Sequence, residues 1–169
     1  MPSILFICTA NRFRSPIAAL HFARKVVQNG DDQNIQTSSA GTWATTGQPA
    51  MPEAIQLAEA YQLDLNFHKS RYLTKTILSN SDLILVMTNG HKEAINHEFP
   101  ECKARLFLLS EAVGEPPADI ADPYSTSEPA EIVAAEIIDL IDRGYQKIID
   151  LANQMHESSQ DSSFDIGIL

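Results

Sequence analysis

The residues at the end of the first apolar segment have the types and spacing for nucleophilic chemistry on a phosphate ester. Cys8 ends the segment, Arg14 stands six residues later, and Ser15 comes next. A cysteine thiolate is a strong nucleophile, and the planar guanidinium of an arginine matches two oxygens of a phosphate group. This spacing predicts that one short loop supplies both the attacking sulfur and the cation that holds the phosphate.

The loop that follows Cys8 is predicted to hold an oxyanion with its backbone. A loop between a strand and the N-terminus of a helix can turn successive N–H groups inward, and the helix dipole adds to the positive potential there. Under this cluster the Cys8 sulfur is expected to be present largely as the thiolate near neutral pH, with a hydrogen bond from Ser15. The candidate substrate-binding residues of the loop are Thr9, Ala10, Asn11, Arg12, Phe13 and Ser15.

Asp122 is the candidate general acid. It lies in the proline-rich segment 114–127 and is followed by Pro123 and Tyr124. Transfer of a phosphoryl group to sulfur leaves an oxygen that needs a proton, which a loop-borne aspartate can give, while Pro123 restricts the backbone beside it. Taken alone, the Asp-Pro pair is also compatible with a plain turn, and Cys8 with a small apolar residue at the buried end of a strand.

The hydrophobic pattern along the chain predicts the scaffold that positions these residues. Short apolar runs typical of doubly buried strands alternate with segments of helical periodicity. Such alternation is typical of βαβ units, so we expect an α/β fold with a mostly parallel sheet and helices on both faces. Ligands bind at the carboxyl ends of the strands in such folds, where the Cys8 loop begins. The predicted strands are 3–8, 34–39, 82–87 and 104–109, and the predicted helices are about 15–29, 53–61, 90–99 and 129–154.

The charge of the chain limits its partners. Twelve Lys and Arg against 22 Asp and Glu give a net charge of −10 over 169 residues. An acidic chain is repelled by nucleic-acid phosphates and by anionic lipids, so neither nucleic acid nor a membrane is expected as a partner. The apolar runs also fall short of the ~18 residues that a membrane-spanning helix needs.

The length of the chain predicts its number of domains, and its cysteines and histidines predict its redox compartment and whether it binds a metal. At roughly 150 residues per domain we expect one domain over residues 1–156, with a flexible acidic tail at 157–169. The two cysteines, Cys8 and Cys102, and an N-terminal apolar run too short for a signal peptide predict a cytoplasmic protein with reduced thiols. The histidines lack the spacing of metal ligands, so no metal and no cofactor is predicted.

Together these segments resemble the low-molecular-weight protein tyrosine phosphatases. The resemblance covers about residues 3–153 and rests on ICTANRFRSP at residues 7–16, on Asp122-Pro123-Tyr124, and on likeness at residues 38–42, His68 and residues 82–87. It implies a three-layer, doubly wound, four-stranded parallel sheet. It also implies metal-independent hydrolysis of protein phosphotyrosine through a cysteinyl-phosphate intermediate, with phosphoproteins or phosphopeptides as substrates, phosphate or other oxyanions in the loop, and a monomer or weak dimer.

The resemblance also implies a role for each matching residue. Cys8 corresponds to the nucleophile, Arg14 to the phosphate clamp, and Asp122 to the general acid of the first step and the general base of the second. Asn11 corresponds to a residue that holds the loop in an unusual backbone conformation, which asparagine tolerates better than most residues. His68 would support Asn11 by a hydrogen bond.

The substrate is less well determined than the reaction. The resemblance implies that Trp43 and Tyr124 are aromatic walls for a flat ring, which favours phosphotyrosine. Yet residues 87–92, MTNGHK, look more like the bacterial arginine phosphatases of the same fold. Arg12 matches neither branch, since the tyrosine phosphatases have an apolar residue and the arginine phosphatases a threonine there. Phe13 also stands where many members have a second cysteine, which protects the oxidised nucleophile as a disulfide.

Two other functions fit the same loop less well. Arsenate reductases share the fold and the first cysteine, but they need further cysteines for a disulfide relay, and here only Cys102 is left. A non-catalytic phosphopeptide-binding module would be expected to lack the nucleophile or the acid, whereas both Cys8 and Asp122 are present. Fold alone does not separate these functions, because the residues of the site determine the chemistry.

Overall fold

A computed structural model describes residues 1–31 and 34–164 of the chain. Its four strands are β1 at Ser3–Cys8, β2 at Gln36–Gly41, β3 at Leu83–Val86 and β4 at Leu106–Leu108. They form one sheet in the order β2-β1-β3-β4, and every neighbouring pair is parallel. The predicted α/β fold and its four-stranded parallel sheet are therefore confirmed.

Helices cover both faces of the sheet. The helices are α1 at Arg14–Gln28, α2 at Pro52–Ala60, α3 at Lys75–Ser79, α4 at Asn89–Glu98, α5 at Leu109–Ala112 and α6 at Ala130–Phe164, with a 3-10 helix at Pro100–Arg105. Buried residues of α1, α2, α5 and α6 share one apolar cluster, and those of α3, α4 and the 3-10 helix share the other. Within residues 1–31 and 34–164, none of the helices is long and apolar enough to cross a membrane.

The central position of β1 explains its unbroken apolar sequence. Ile4 and Phe6 belong to the cluster under α1 and α6, while Leu5 and Ile7 belong to the cluster on the opposite face. Because successive side chains of a strand point to opposite faces, a strand covered on both sides must be apolar at every position. The edge strand β2 is only partly buried, and it is correspondingly polar.

The region before β4 differs from the prediction. The strand expected at residues 104–109 is limited to Leu106–Leu108, because Pro100–Arg105 form a 3-10 helix. The Arg105 guanidinium stabilises this turn by donating to the Leu78 carbonyl at 2.8 Å and to the Ser81 carbonyl. Helices α3 and α5 are not predicted by the sequence pattern, because their five and four residues are too few to show a helical period.

The C-terminal segment also differs from the prediction. The last helix is predicted to end near residue 154, whereas α6 continues to Phe164. Two contacts stabilise the added turns: His156 pairs with Asp82, with 3.2 Å between Nδ1 and Oδ1, and the Ser159 hydroxyl donates to the same carboxylate at 3.4 Å. The rest of the predicted tail, 165–169, lies outside the described residues.

Candidate active site

The loop between β1 and α1 wraps around Cys8. The Cys8 side chain is buried, and its Sγ lies 3.0 Å from Oγ of Ser15 in the first turn of α1. The carbonyls of Cys8 and Thr9 accept hydrogen bonds from Thr42 N–H and Trp43 N–H, at 3.0 and 2.9 Å. These two bonds hold the start of the loop against the segment that follows β2, an arrangement compatible with the anion nest that the sequence predicts for the loop N–H groups.

Asn11 holds the loop in its curled form. Its φ of 56° lies in the left-handed region, as the sequence predicted, and its side chain is fully buried. The amide nitrogen donates to the hydroxyls of Ser15 and Ser39, both at 2.9 Å, while the amide oxygen accepts from Arg71 N–H at 2.9 Å. The predicted contact with His68 is also present, with 2.7 Å between its Nε2 and the Asn11 carbonyl. Burial lowers the pKa of His68, so its ring is neutral at neutral pH and Nε2–H donates.

The end of β2 packs directly against the loop at Gly41. A Cβ atom at this position would lie 2.4 Å from the Thr9 carbonyl oxygen and 2.9 Å from Asn11 N. Both neighbours are backbone atoms, which cannot move aside without changing the loop. Glycine is therefore required where β2 supports the nest.

Arg14 and Asp122 meet beside the sulfur. Arg14 is almost completely buried, and its Nη2 lies 3.1 Å from Oδ2 of Asp122. Its Nη1 donates to the Ile120 carbonyl at 3.0 Å, so the guanidinium is fixed by the same loop that carries the acid. Asp122 is in turn oriented by Tyr124 N–H, which donates to Oδ1 at 2.9 Å. The predicted nucleophile, clamp and acid are thus brought together from two distant parts of the chain.

A cavity of about 250 Å³ opens above Cys8. The lining residues are Cys8, Thr9, Ala10, Arg12, Phe13, Arg14, Met51, Asp122 and Tyr124. All of these except Met51 are candidates from the sequence. The backbone N–H of Met51 donates to the Arg12 carbonyl at 2.9 Å, so a loop far along the chain adds an apolar wall that local sequence signals do not reveal.

Aromatic rings form one side of the cavity. Phe13 and Tyr124 meet edge to face with 5.8 Å between ring centroids. The Tyr124 hydroxyl donates to Glu53 at 3.1 Å. Burial and this hydrogen bond raise the pKa of Tyr124 to about 12, so the ring is neutral at physiological pH. The Arg12 Nε donates to the Pro49 carbonyl at 2.7 Å, which fixes this cation at the cavity.

Three of the predicted substrate-binding residues do not line the cavity, and neither does the predicted supporting residue His68. Asn11 and Ser15 lie behind the loop and act on its shape, and Ser15 reaches Cys8 from that side. Trp43 was expected as a second aromatic wall, but it is 84% exposed and is not a lining residue. Its backbone belongs to the hydrogen bonds around the loop, which leave the indole ring in solvent.

Comparison with known proteins agrees with this geometry. The family model described as "Low molecular weight phosphotyrosine protein phosphatase" matches residues 3–161. A protein-arginine-phosphatase of Geobacillus stearothermophilus is 34% identical over 148 residues, which are 86% of this chain and 95% of that protein. The chain therefore belongs to the low molecular weight phosphotyrosine protein phosphatase family.

Solved structures show the same fold. A low molecular weight protein tyrosine phosphatase from T. tengcongensis superposes with a TM-score of 0.79 at 34% identity, covering 87% of this chain and 99% of that one. The tyrosine phosphatase Wzb from Escherichia coli K30, solved in complex with sulphate, gives a TM-score of 0.75 at 30% identity over 86% of this chain and 97% of that one. Both tyrosine and arginine phosphatases thus occur among the similar proteins.

Replacing Asn11 is expected to loosen the loop more than replacing one of its partners. Asn11→Ala removes three side-chain hydrogen bonds and puts an alanine at positive φ, so we expect the free energy of unfolding to fall by about 2–4 kcal/mol. Ser39→Ala removes one of these bonds and is expected to cost about 1 kcal/mol. Urea denaturation measures both values. Equal losses in the two variants would contradict the central role of Asn11.

Proposed function

We propose that this chain is a metal-independent protein phosphatase that hydrolyses phosphotyrosine through a cysteinyl-phosphate intermediate. The observation that carries the proposal is the meeting of Cys8, Arg14 and Asp122 at one cavity. A nucleophile, a cation that matches phosphate oxygens and a proton donor are the groups that phosphoryl transfer to sulfur requires.

In the first step the Cys8 thiolate attacks phosphorus in line with the leaving oxygen. The S–P bond forms, the P–O bond to the substrate breaks, and Asp122 gives its proton to the departing oxygen. The nest of N–H groups and Arg14 stabilise the charge on the phosphoryl oxygens, which is mostly an electrostatic task. When the sulfur is a thiolate, it can only accept a hydrogen bond, and the Ser15 hydroxyl 3.0 Å away can donate one to it.

In the second step water hydrolyses the intermediate. Asp122, now a carboxylate, takes a proton from the water as its oxygen attacks phosphorus. The S–P bond breaks, and the electron pair returns to Cys8 as a thiolate. Since the hydrogen bond from Ser15 stabilises this thiolate, it helps the sulfur both to attack and to leave.

The walls of the cavity favour phosphotyrosine as the substrate. Phe13, Met51 and the neutral ring of Tyr124 present apolar and aromatic surface to the group that carries the phosphate. Arg12 places a fixed positive charge at the same cavity, which disfavours a substrate whose leaving group is itself a cationic guanidinium. The second candidate is a protein arginine phosphatase, and the 34% identity to the Geobacillus stearothermophilus protein of that name favours it.

We also propose a reducing compartment such as the cytoplasm for the protein. The mechanism requires Cys8 as a free thiolate, and both Cys8 and Cys102 are free cysteines. A monomer or weak dimer is sufficient, because every proposed catalytic group comes from one chain.

Phosphate release from phosphotyrosine and phosphoarginine peptides, compared without added metal, tests the proposed function. We expect faster release from phosphotyrosine. Cys8→Ser is the control and is expected to abolish turnover while keeping the far-ultraviolet circular dichroism of the wild type. Preference for phosphoarginine would support the second candidate, and turnover that persists in Cys8→Ser would contradict the mechanism.

Asp122→Asn tests the acid. The amide cannot donate a proton as a carboxylic acid does, so kcat with a poor leaving group is expected to fall by roughly 10²–10⁴. A good leaving group such as a dinitrophenolate needs less protonation, and the loss should be smaller for it. The ratio of the two rates in wild type and variant is the measurement, and an equal loss with both substrates would argue against general acid catalysis by Asp122.

The absence of a neighbouring thiol is expected to make oxidation of Cys8 difficult to reverse. Cys102 is buried in the apolar cluster on the opposite face of the sheet, and Phe13 occupies the loop. Peroxide oxidises the Cys8 thiolate to a sulfenic acid, and a second equivalent yields the sulfinic acid, which dithiothreitol does not reduce. We expect Phe13→Cys to divert the sulfenic acid into a loop disulfide and to improve recovery. Mass spectrometry and activity after reduction check this, and full recovery of the wild type would refute it.

A further inference from the structure

A histidine outside the predicted site contacts the loop from behind. His91 lies in the first turn of α4 and is almost completely buried, and its Nε2 is 2.9 Å from the hydroxyl oxygen of Thr9. The same hydroxyl oxygen accepts from Nη2 of Arg14 at 3.4 Å. A chain of contacts therefore runs from α4 through Thr9 to the phosphate clamp.

The hydrogen bonds of His91 fix which nitrogen carries the proton. The N–H of Thr88 points at Nδ1 at 3.2 Å, so Nδ1 is the acceptor. Nε2 then carries the hydrogen and donates it to Thr9. Burial, with the positive charge of Arg14 as a second cause, lowers the pKa of His91 to about 4, so the ring is neutral at physiological pH.

Among the described residues, this arrangement assigns no acceptor to the hydrogen of the Thr9 hydroxyl. The hydroxyl oxygen has two lone pairs, and His91 and Arg14 occupy both of them. Thr9 lines the cavity above Cys8, and it also lines a second cavity of about 370 Å³ that includes His91 and Asp122. The hydroxyl hydrogen is thus available to an acceptor on the substrate side, and a phosphoryl oxygen in the loop is such an acceptor.

We propose that His91 is a positioning residue for phosphoryl transfer. Its Nε2–H orients the Thr9 hydroxyl as a donor to the transferring phosphoryl group, and through Thr9 it holds the Arg14 guanidinium in place. The inference rests on the proposed function and extends it to a residue that does not touch the substrate. Interactions that strengthen as charge develops on the phosphoryl oxygens raise kcat, whereas equal binding of substrate and transition state changes KM alone. The contribution of His91 should therefore appear in kcat.

His91 also caps α4, and the two roles can be separated. Thr88 is the N-cap of α4, and its hydroxyl accepts from His91 N–H at 3.2 Å. The Thr88 hydroxyl also contacts the His91 ring, with 3.0 Å between its oxygen and Nδ1, so the control variant is placed elsewhere on α4. Ile95→Ala removes buried apolar surface of α4 and none of the hydrogen bonds of His91. His91→Gln keeps an acceptor for Thr88 N–H and a donor for Thr9, while His91→Ala keeps neither. Thr9→Val retains the shape of the side chain and removes the hydroxyl.

The test is steady-state hydrolysis of p-nitrophenyl phosphate by the full chain and these variants. We expect His91→Ala and Thr9→Val each to lower kcat by about 10–100-fold with KM within about twofold of the wild type. The double variant should be no slower than Thr9→Val, because both changes remove the same interaction. His91→Gln should recover most of kcat, and Ile95→Ala should lower the melting temperature while retaining kcat.

Each opposite outcome overturns the proposal. Wild-type kcat in His91→Ala, or losses that multiply in the double variant, would show that His91 does not act through Thr9. Equal losses of kcat in Ile95→Ala and His91→Ala would assign the effect to α4 as a whole. If His91→Ala does not fold, Thr9→Val and His91→Gln still decide the question. Failure of the proposed function is distinct, since the wild type would then release no nitrophenol.

Discussion

The amide of Asn11 is the interaction on which the site depends. The backbone of Asn11 has a φ of 56°. Its side-chain amide donates through nitrogen to Ser15 and Ser39, and it accepts through oxygen from the Arg71 N–H. A buried amide with every partner satisfied stabilises one conformation strongly, because any other arrangement would leave polar groups unpaired. The loop is therefore held in one conformation before any ligand binds, and no binding energy is needed to order it.

The parallel sheet brings the acid to this loop. β1 ends at Cys8, and the segment that carries Asp122 is tied to the end of β3 by a 2.8 Å bond from Ile120 N–H to the Met87 carbonyl. Arg14 completes the connection, since it bonds both the Ile120 carbonyl and the Asp122 carboxylate. The carboxyl ends of parallel strands meet at one edge, which allows residues more than a hundred positions apart to act on one phosphate.

The spacing of residues along the chain is sufficient to predict the contact between Cys8 and Ser15. Cys8 and Ser15 lie on two sides of a short loop whose ends are fixed by β1 and α1, so their contact follows from the sequence. Met51 and His91 reach the loop only through tertiary packing, and neither has a local signal beyond its side chain. Trp43 shows the converse: an aromatic residue near the loop predicts a wall of the cavity, whereas the structure bonds the Trp43 N–H to the loop and leaves most of the side chain exposed to solvent. The length of α6 depends likewise on Asp82, which is distant in sequence from the residues that it pairs with.

The chain as a whole is negatively charged, whereas the cavity above Cys8 contains the two cations Arg12 and Arg14. The chain carries a net charge of −10, which repels a phosphate dianion at long range. At about 0.1 M salt this repulsion is screened beyond roughly 10 Å, so contacts inside the cavity decide binding. In the proposed function the substrate meets Arg14, Arg12 and the N–H groups of the loop there, in a space that Phe13 and Met51 line with apolar surface. Because low polarity strengthens each of these contacts, a small cationic site can bind a dianion on an acidic protein, and the apolar walls contribute to phosphate binding as well as to the choice of substrate.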